Sequence, residues 1–411
     1  MIIYLVFPFL FAGVYVATRF LRSEKLKLFL CSFIPAILMF LLLALKGANV
    51  GADSQTYINA YHDLGSIPNF PSDEFFQSLK AYNFQNEYGF ILFAQVFSKI
   101  GLPYLVFQIF VYSVICFCLF YSSWRLSKNP AFSLLIFFCF TFFNFYVSGL
   151  RQSFAMALCL LALSLVISGG RTPLRTVFYF LIVGLATFWH KSALIFIIPY
   201  FLIRIRVNLK AMIFLVFLSV FFFIFGGEMY EFINSLTSSL FEGNYGDYAP
   251  FSFGTGLTTI LLIFIIAFSY FLYVDSRQKE SVISFIERKI PFYQEKKQVK
   301  QTDPNTTDYQ LDNVVQSNDD HNFSLYIILT FIGVWLSNTN RFSISFGRIG
   351  MYFSVFTMFL LSNSIERIRN QKIKYTFLIV FFVLFYGYFI YTAIIPNYLG
   401  IGPYTVIEGT I

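Results

Sequence analysis

Apolar stretches long enough to cross a bilayer recur along the whole chain. A membrane-spanning helix needs roughly 20 predominantly apolar residues, within a range of about 17–25. Ten stretches of this kind predict spans at 2–21, 27–45, 102–122, 130–147, 153–168, 211–226, 257–274, 322–337, 343–362 and 375–395. The pattern therefore predicts an all-α polytopic membrane protein, with residues 1–411 forming a single integral membrane domain.

The stretch 176–203 is apolar but is interrupted by Trp189-His190-Lys191, so it could form one tilted span or a hairpin of two short ones. Basic residues distinguish these cases, because cytoplasmic loops collect Lys and Arg. With the N-terminus outside and a hairpin at 176–203, 22 of the 29 Lys and Arg fall on the cytoplasmic side. A single span would place Arg171 and Arg204 on opposite sides. We therefore predict about 12 transmembrane helices with both termini outside.

Three polar segments separate the predicted spans. Residues 46–101 form an outer loop, in which a helix at 86–100 is too short to cross and is expected to be interfacial or re-entrant. Residues 227–256 form a second outer loop. Residues 275–321 are polar and mixed in charge, and they predict a flexible cytoplasmic loop.

Composition agrees with a membrane protein and excludes a soluble one. The chain is 57% hydrophobic and 12% charged, whereas soluble domains carry about 25% charged residues. The net charge of +8 is spread over the predicted cytoplasmic loops, and we expect no nucleic-acid partner. All five cysteines lie in apolar stretches without metal-ligand spacing, so we expect small buried side chains and no metal site.

Seven basic residues lie outside the predicted cytoplasmic loops: Lys46, Lys80, Lys99, Arg151, Lys191, Arg341 and Arg348. Arg151 opens a predicted helix whose N-terminus faces outward, where unpaired N–H groups and the helix dipole favour an anion such as phosphate. The alternative is an arginine that extends to the lipid headgroups. Arg341 and Arg348 are two helical turns apart and share a face. They either bind a ligand in an outward cavity or form an ion pair with a carboxylate such as Asp53 or Glu87.

Three outer residues could remove a proton from a substrate: Asp53, Glu87 and His190. A carboxylate paired with arginines is a weak base that is better suited to orienting them. A neutral histidine accepts a proton near neutral pH, and so we favour His190 slightly as the base. The alternatives are that the carboxylates only neutralise the arginines and that His190 braces a tight turn.

An ordered set of short motifs in the outer segments resembles the EpsG family, the Wzy-type polymerases of bacterial exopolysaccharide, capsule and O-antigen. The resemblance is strongest over about 45–205, and Pro403-Tyr404 is similar to the C-terminal Pro-Tyr of that family. The motifs are Gly51-Ala52-Asp53 with Tyr57, Asn86-Glu87-Tyr88-Gly89, Gly149-Leu150-Arg151-Gln152 with Ala155, and His190-Lys191-Ser192-Ala193-Leu194.

The resemblance implies a glycosyltransferase-C-like helical fold in the bacterial inner membrane, with the active face in the periplasm. The expected substrate is an oligosaccharide repeat unit on undecaprenyl diphosphate, and the growing glycan would join the non-reducing end of an incoming lipid-linked unit. Membrane lipid and a chain-length regulator protein are the other expected partners. No cofactor and no metal are expected.

The same resemblance implies a function for the basic outer residues. The diphosphate leaving group gathers negative charge, which we expect to be held by Arg151, Arg341, Arg348, Lys191 and Gln152. His190 is then the expected base, with Asp53 and Glu87 orienting the arginines. Two other functions remain open from the sequence, a flippase or transporter of lipid-linked oligosaccharide and an O-antigen ligase.

Overall fold

The computed structural model describes residues 2–79, 87–140, 142–238, 255–277, 308–338 and 344–406. Throughout these ranges the chain is mostly helical and contains no β-strand, only one isolated bridge between Lys46 and Val406. The all-α prediction is therefore confirmed for the described part of the chain.

Five of the described helices are long and apolar enough to cross a membrane: Glu24–Ala44, Tyr104–Leu126, Leu150–Gly169, Leu257–Asp275 and Gln371–Ile394. A sixth candidate is the pair Pro130–Cys139 and Phe142–Ser148, which is bent by 63°. The predicted span 343–362 is likewise divided, into Ile344–Ser354 and Thr357–Ile365. The number of twelve spans and the glycosyltransferase-C-like fold stay predictions.

The chain divides into two compact units, of which the first comprises residues 1–198 and 384–411. The second comprises residues 199–383, and the division falls within the last long helix. The helices before the division at 198 are α1 Ile2–Thr18, α2 Glu24–Ala44, α3 Ser54–Ser66, α4 Asp73–Leu79, α5 Tyr88–Lys99, α6 Tyr104–Leu126, α7 Pro130–Cys139, α8 Phe142–Ser148, α9 Leu150–Gly169 and α10 Pro173–Trp189. A 3₁₀ helix at Lys191–Ile197 leads into α11, Ile198–Leu202.

Helix α9 is the most enclosed of the candidate spans in the first unit. Of its most apolar 18-residue window, 78% is buried inside the protein, and the helix packs against α6 and α10. Its apolar residues lie on all sides, which is typical of a helix surrounded by others. Arg151 lies in the first turn of this central helix and is therefore held by its packing.

The first predicted outer loop is more ordered than the sequence suggests. Where one short helix was expected at 86–100, the described residues of the segment 46–101 form three, α3, α4 and α5. Helices α3 and α5 lie against each other, with Gly65 so close to Ser98 that a Cβ atom there would be 2.2 Å from Ser98 Oγ. Lys80 is one of the residues outside the described ranges.

The chain reverses direction at His190, as the hairpin interpretation of 176–203 predicts. Helix α10 ends at Trp189, and the following 3₁₀ helix runs back along it. The hydroxyl of Tyr179 donates a hydrogen bond to the carbonyl of Phe196, which requires the chain to fold back between them. His190 is consequently the apex of a sharp turn.

The second unit contains α12 Leu209–Ser238, α13 Thr255–Asp275, α14 Asp308–Asn338, α15 Ile344–Ser354 and α16 Thr357–Ile365, and it contains most of α17 Gln371–Phe389. A π-turn at Ile390–Ile394 continues α17. Glycines bring α14 and α15 together, because a Cβ at Gly333 would be 2.5 Å from the backbone nitrogen of Ser354.

Helix extends into two of the predicted loops in the described part of the second unit. Helix α12 continues to Ser238, although the loop 227–256 was expected to begin at Gly227. A glycine inside a helix lowers helix stability by about 1 kcal/mol, but α12 continues through Gly226 and Gly227. Helix α14 begins at Asp308, inside the segment 275–321 that was expected to be flexible.

Candidate functional site

Three of the predicted site residues meet in the first unit, with Glu87 between the other two. Glu87 Oε2 pairs with Arg151 Nη1, and Glu87 Oε1 contacts His190 Nδ1. The side chains are 11% exposed for Glu87, 22% for Arg151 and 23% for His190. Because the groups are largely shielded from solvent, their interaction is stronger than that of an ion pair on a surface.

The local sequence explains why Glu87 reaches His190. Glu87 immediately precedes the first residue of α5, and Gly89 lies in the first turn of that helix. A Cβ atom on Gly89 would be 2.8 Å from Trp189 Cα and 2.9 Å from the Phe188 carbonyl oxygen. The absence of a side chain at Gly89 therefore lets α5 lie directly on the end of α10, where His190 follows.

Aromatic rings surround the guanidinium group of Arg151. Its central carbon is 5.7 Å from the ring centroid of Tyr57 and 5.8 Å from that of Phe90. Cations within about 6 Å of an aromatic ring are attracted by its quadrupole. Burial raises the pKa of Tyr57 although the neighbouring guanidinium opposes the shift, so this hydroxyl stays protonated. Tyr57 is thus a buried residue that packs against Arg151.

Trp189 supports the whole arrangement and was not predicted as part of it. Its buried ring stacks on Phe154 of α9 with centroids 4.0 Å apart, and it lies 6.2 Å from the ring of Phe90 in α5. Trp189 thus contacts α9, which carries Arg151, and α5, which begins directly after Glu87. His190 is the next residue in the sequence. The sequence signal that could have identified Trp189 is its position directly before His190 in the predicted hairpin turn.

Asp53 lies at the start of α3, in a turn that packs against the end of α8. Its backbone N–H donates to Ser148 Oγ at 3.3 Å, and its side chain is half-buried. Gly51 has φ +99°, and a Cβ there would be 2.6 Å from the Val147 carbonyl oxygen. Only glycine fits both the backbone angle and the space.

Lys46 is a buried cation near Asp53 to which the sequence assigned no role. Its side chain is buried, and Nζ donates to the Val50 carbonyl at 2.9 Å and contacts Ser54 Oγ. Burial lowers the pKa of Lys46 to about 7, and the charge of Asp53 opposes part of this shift. Lys46 thereby connects the end of α2 to the start of α3.

Two further predicted ligands adjoin these groups in sequence. Gln152 is buried in the first turn of α9, and Lys191 is exposed just after the apex at His190. Arg348 is an exposed residue of α15 in the second unit. Arg341 lies outside the described residues.

The five cysteines are buried, as their apolar surroundings predicted, and they are not joined by disulfides. Among the residues that the structure describes, no three His, Cys, Asp or Glu side chains are grouped so that they could hold a metal ion.

Comparison with known proteins identifies the family. The EpsG family model matches residues 28–406, which is most of the chain and includes the elements that carry Glu87, Arg151 and His190. No curated protein and no solved structure matches the chain. The length of the family match shows that this chain belongs to the EpsG family, a family of Wzy-like polysaccharide polymerases.

Proposed function

We propose that this protein polymerises lipid-linked oligosaccharide repeat units on the periplasmic side of a bacterial inner membrane. The growing glycan leaves its undecaprenyl diphosphate carrier and is joined to the non-reducing end of an incoming lipid-linked unit. Membership of the EpsG family supports the polymerase class, and the apolar helices support a membrane location. The specific reaction and its direction are our proposal.

The observation that carries the proposal is the double contact of Glu87 with Arg151 and His190. A glycosyl transfer from a diphosphate needs a cation for the leaving group and a base for the acceptor hydroxyl. In this protein the cation, Arg151, and the candidate base, His190, both contact the carboxylate of Glu87. Such an arrangement supports an enzyme more than a protein that only conducts a charged lipid.

Arg151 is proposed to stabilise the diphosphate. A guanidinium is planar and has five N–H donors, which suits the oxygens of phosphate groups. Glu87 and the rings of Tyr57 and Phe90 fix its orientation before the substrate arrives. A group that is oriented in advance stabilises developing charge without a cost of reorganisation in the transition state.

His190 is proposed to take the proton of the acceptor hydroxyl. A carboxylate at Nδ1 favours the tautomer that is protonated there, which leaves the lone pair on Nε2. In the reaction, the bond between the anomeric carbon and the diphosphate oxygen breaks, and the acceptor oxygen bonds to that carbon. The hydroxyl proton passes to Nε2, and Glu87 stabilises the resulting imidazolium as the carboxylate does in catalytic triads.

Asp53 is proposed to orient groups of the first outer loop rather than to act as the base. Lys191, Gln152, Arg341 and Arg348 remain predicted further ligands of the diphosphate. Membrane lipid and a chain-length regulator protein remain the other predicted partners, and no cofactor is proposed.

The surface glycan of cells that lack this protein tests the proposed function. A polymerase defect leaves glycans capped with single repeat units, since units still cross the membrane and are still attached. A flippase or ligase defect leaves no surface glycan, and that result would contradict the proposal. Restoration of the long glycan by the wild-type gene is the control.

A further inference from the structure

The C-terminal segment 397–406 lies along the turn that precedes α3. Three backbone N–H groups of the turn donate to carbonyls of the segment: Gly47 to Thr405 (2.8 Å), Gly51 to Gly400 (2.8 Å) and Ala52 to Leu399 (2.9 Å). Lys46 and Val406 also form an antiparallel bridge. The segment therefore provides partners for a turn that no strand or helix would otherwise satisfy.

The segment has a shape of its own that Asn397 fixes. Asn397 has φ 48°, a conformation in which asparagine is favoured over most other residues. Its side chain accepts from the Gly402 N–H at 3.0 Å and donates to the Gly402 carbonyl at 2.6 Å. Tyr404 then anchors the segment, because its hydroxyl donates to the Leu42 carbonyl at 3.1 Å and its ring packs on Tyr4.

The opposite side of the same turn leads to the candidate site. Gly51 is in close contact with Val147, and the N–H of Asp53 donates to Ser148. Ser148 lies three residues before Arg151 in sequence. Asp53 is one helical turn before Tyr57, whose ring faces the Arg151 guanidinium. The turn is thus held between the C-terminal segment and the start of the arginine helix.

We propose that residues 397–406 are a positioning element of the reaction, which sets the turn before α3 and thereby the ring of Tyr57 beside Arg151. The inference rests on the proposed function, because it assumes that Arg151 binds the diphosphate. Asn397 is a positioning residue and contacts no reacting atom. The competing explanation is that the segment only stabilises the fold.

Asn397→Gly tests the proposal, since glycine keeps the left-handed backbone but removes both side-chain hydrogen bonds to Gly402. The probe is the lipid-linked oligosaccharide extracted from cells that lack the protein, and the assay uses purified full-length chain in lipid. We expect kcat/KM per folded protein to fall about tenfold. In a Tyr57→Ala background, Asn397→Gly should cause no further fall, because both changes act through one ring.

A purely structural role gives a different result. The amount of folded protein would fall, but kcat/KM per folded protein would stay unchanged, or the two substitutions would act additively. Either outcome would overturn the proposal. Tyr404→Phe is a second variant that removes only one hydroxyl, and it decides the question if Asn397→Gly does not fold. Tyr391→Phe removes an exposed hydroxyl just before the segment and should leave kcat/KM unchanged.

The same experiment separates this inference from the proposed function. If Arg151→Lys and Tyr57→Ala both keep full activity, the diphosphate site itself is wrong. If they lose activity while Asn397→Gly and Tyr404→Phe keep it, only the positioning role fails.

Discussion

Arg151 lies between a carboxylate and two aromatic rings, and each contact restricts a different freedom of the side chain. Glu87 fixes the direction of the charge, whereas Tyr57 and Phe90 limit rotation of the guanidinium plane. A lysine has the same charge but no plane, and its single nitrogen cannot meet two phosphate oxygens side by side. The geometry of the group therefore matters as much as its charge.

We expect Arg151→Lys to lower polymerisation roughly 10- to 100-fold while the protein still inserts and accumulates. Glycan chain length and the amount of protein in the membrane are measured together. Arg125→Lys is the matched control, because Arg125 is exposed and also lies over an aromatic ring, 5.9 Å from the centroid of Trp124. Normal polymer from Arg151→Lys would exclude a bidentate contact with the diphosphate.

The base and the orienting carboxylates can be separated by amide substitutions. His190→Gln should abolish polymerisation, because an amide has no nitrogen that takes up a proton. Asp53→Asn should keep part of the activity, since an amide still forms hydrogen bonds. Glu87→Gln should lose most of it, because an amide does not carry the charge that stabilises the imidazolium of His190. The measurement is chain length at equal protein level. Full chain length from His190→Gln, with either carboxylate variant inactive, would reverse the assignment.

The lowered pKa of Lys46 predicts that the stability of the folded protein depends on pH. Its pKa is about 7 in the folded protein against 10.5 for a free side chain, so between these values only the unfolded chain carries the proton. Stability from this group therefore rises as pH rises from about 7 to 10.5. At about 1.4 kcal/mol per pKa unit, the shift corresponds to roughly 5 kcal/mol.

Lys46→Met keeps the length of the side chain and removes the charge. We expect its Tm in detergent to exceed that of the wild type at pH 6, with a difference that shrinks towards pH 10. Lys99→Met, near the surface of the same loop, should show no such trend. A wild-type-to-variant difference that is constant across this range would contradict a lowered pKa for Lys46.

At the scale of elements, the site depends on how closely α5 approaches the end of α10. Gly89→Ala would place a Cβ 2.8 Å from Trp189 Cα, closer than real contacts allow, so α5 must move away. We expect Glu87 to separate from His190 and polymerisation to fall at least about tenfold. Gly184→Ala in α10 is the control, because nothing lies within 4 Å of its Cβ position and alanine favours a helix. Equal activity of the two variants would show that this approach does not matter.

The sequence predicted the short helix and the chain reversal that position the candidate site. The short helix expected at 86–100 is present at Tyr88–Lys99, and the hairpin at 176–203 reverses at His190. Two segments that were predicted as loops from their polar composition contain helical residues. Helix α12 continues past Gly227 to Ser238, and α14 begins at Asp308 within the polar segment 275–321.

The candidate site was predictable as a set of residues but not as a set of contacts. Glu87, Arg151 and His190 are far apart in sequence, and each was identified because it was a charged or titratable group in an outer segment. Their pairing depends on the tight packing of Gly89 on Trp189, which no pattern of apolar positions encodes. Tyr57 and Lys46 were noted in the sequence, but their roles follow only from burial.

At the scale of the whole molecule, basic residues near helix ends come together in the second unit. Arg206 donates to His321 at 3.1 Å, and Arg277 pairs with Asp320. The guanidinium of Arg367 lies 5.2 Å from the ring of Tyr273. Arg206, Arg277 and Arg367 lie just outside the ends of α12, α13 and α16, and Asp320 and His321 lie in α14. The distribution of basic residues predicts that these segments are cytoplasmic. Their contacts bring together helix ends that the sequence predicts to be cytoplasmic.

The topology that follows can be tested by cysteine labelling in intact cells, in a background whose native cysteines are replaced by serine. With both termini outside and the segment 275–321 in the cytoplasm, an impermeant thiol reagent should reach Asn244→Cys and Ile411→Cys but not Asn305→Cys. The physical basis is the retention of Lys and Arg on the cytoplasmic side during insertion. Labelling of Asn305→Cys after the membrane is made permeable shows that the site is reactive. Its labelling in intact cells would invert the orientation and remove Glu87, Arg151 and His190 from the periplasmic face, where the proposed reaction needs them.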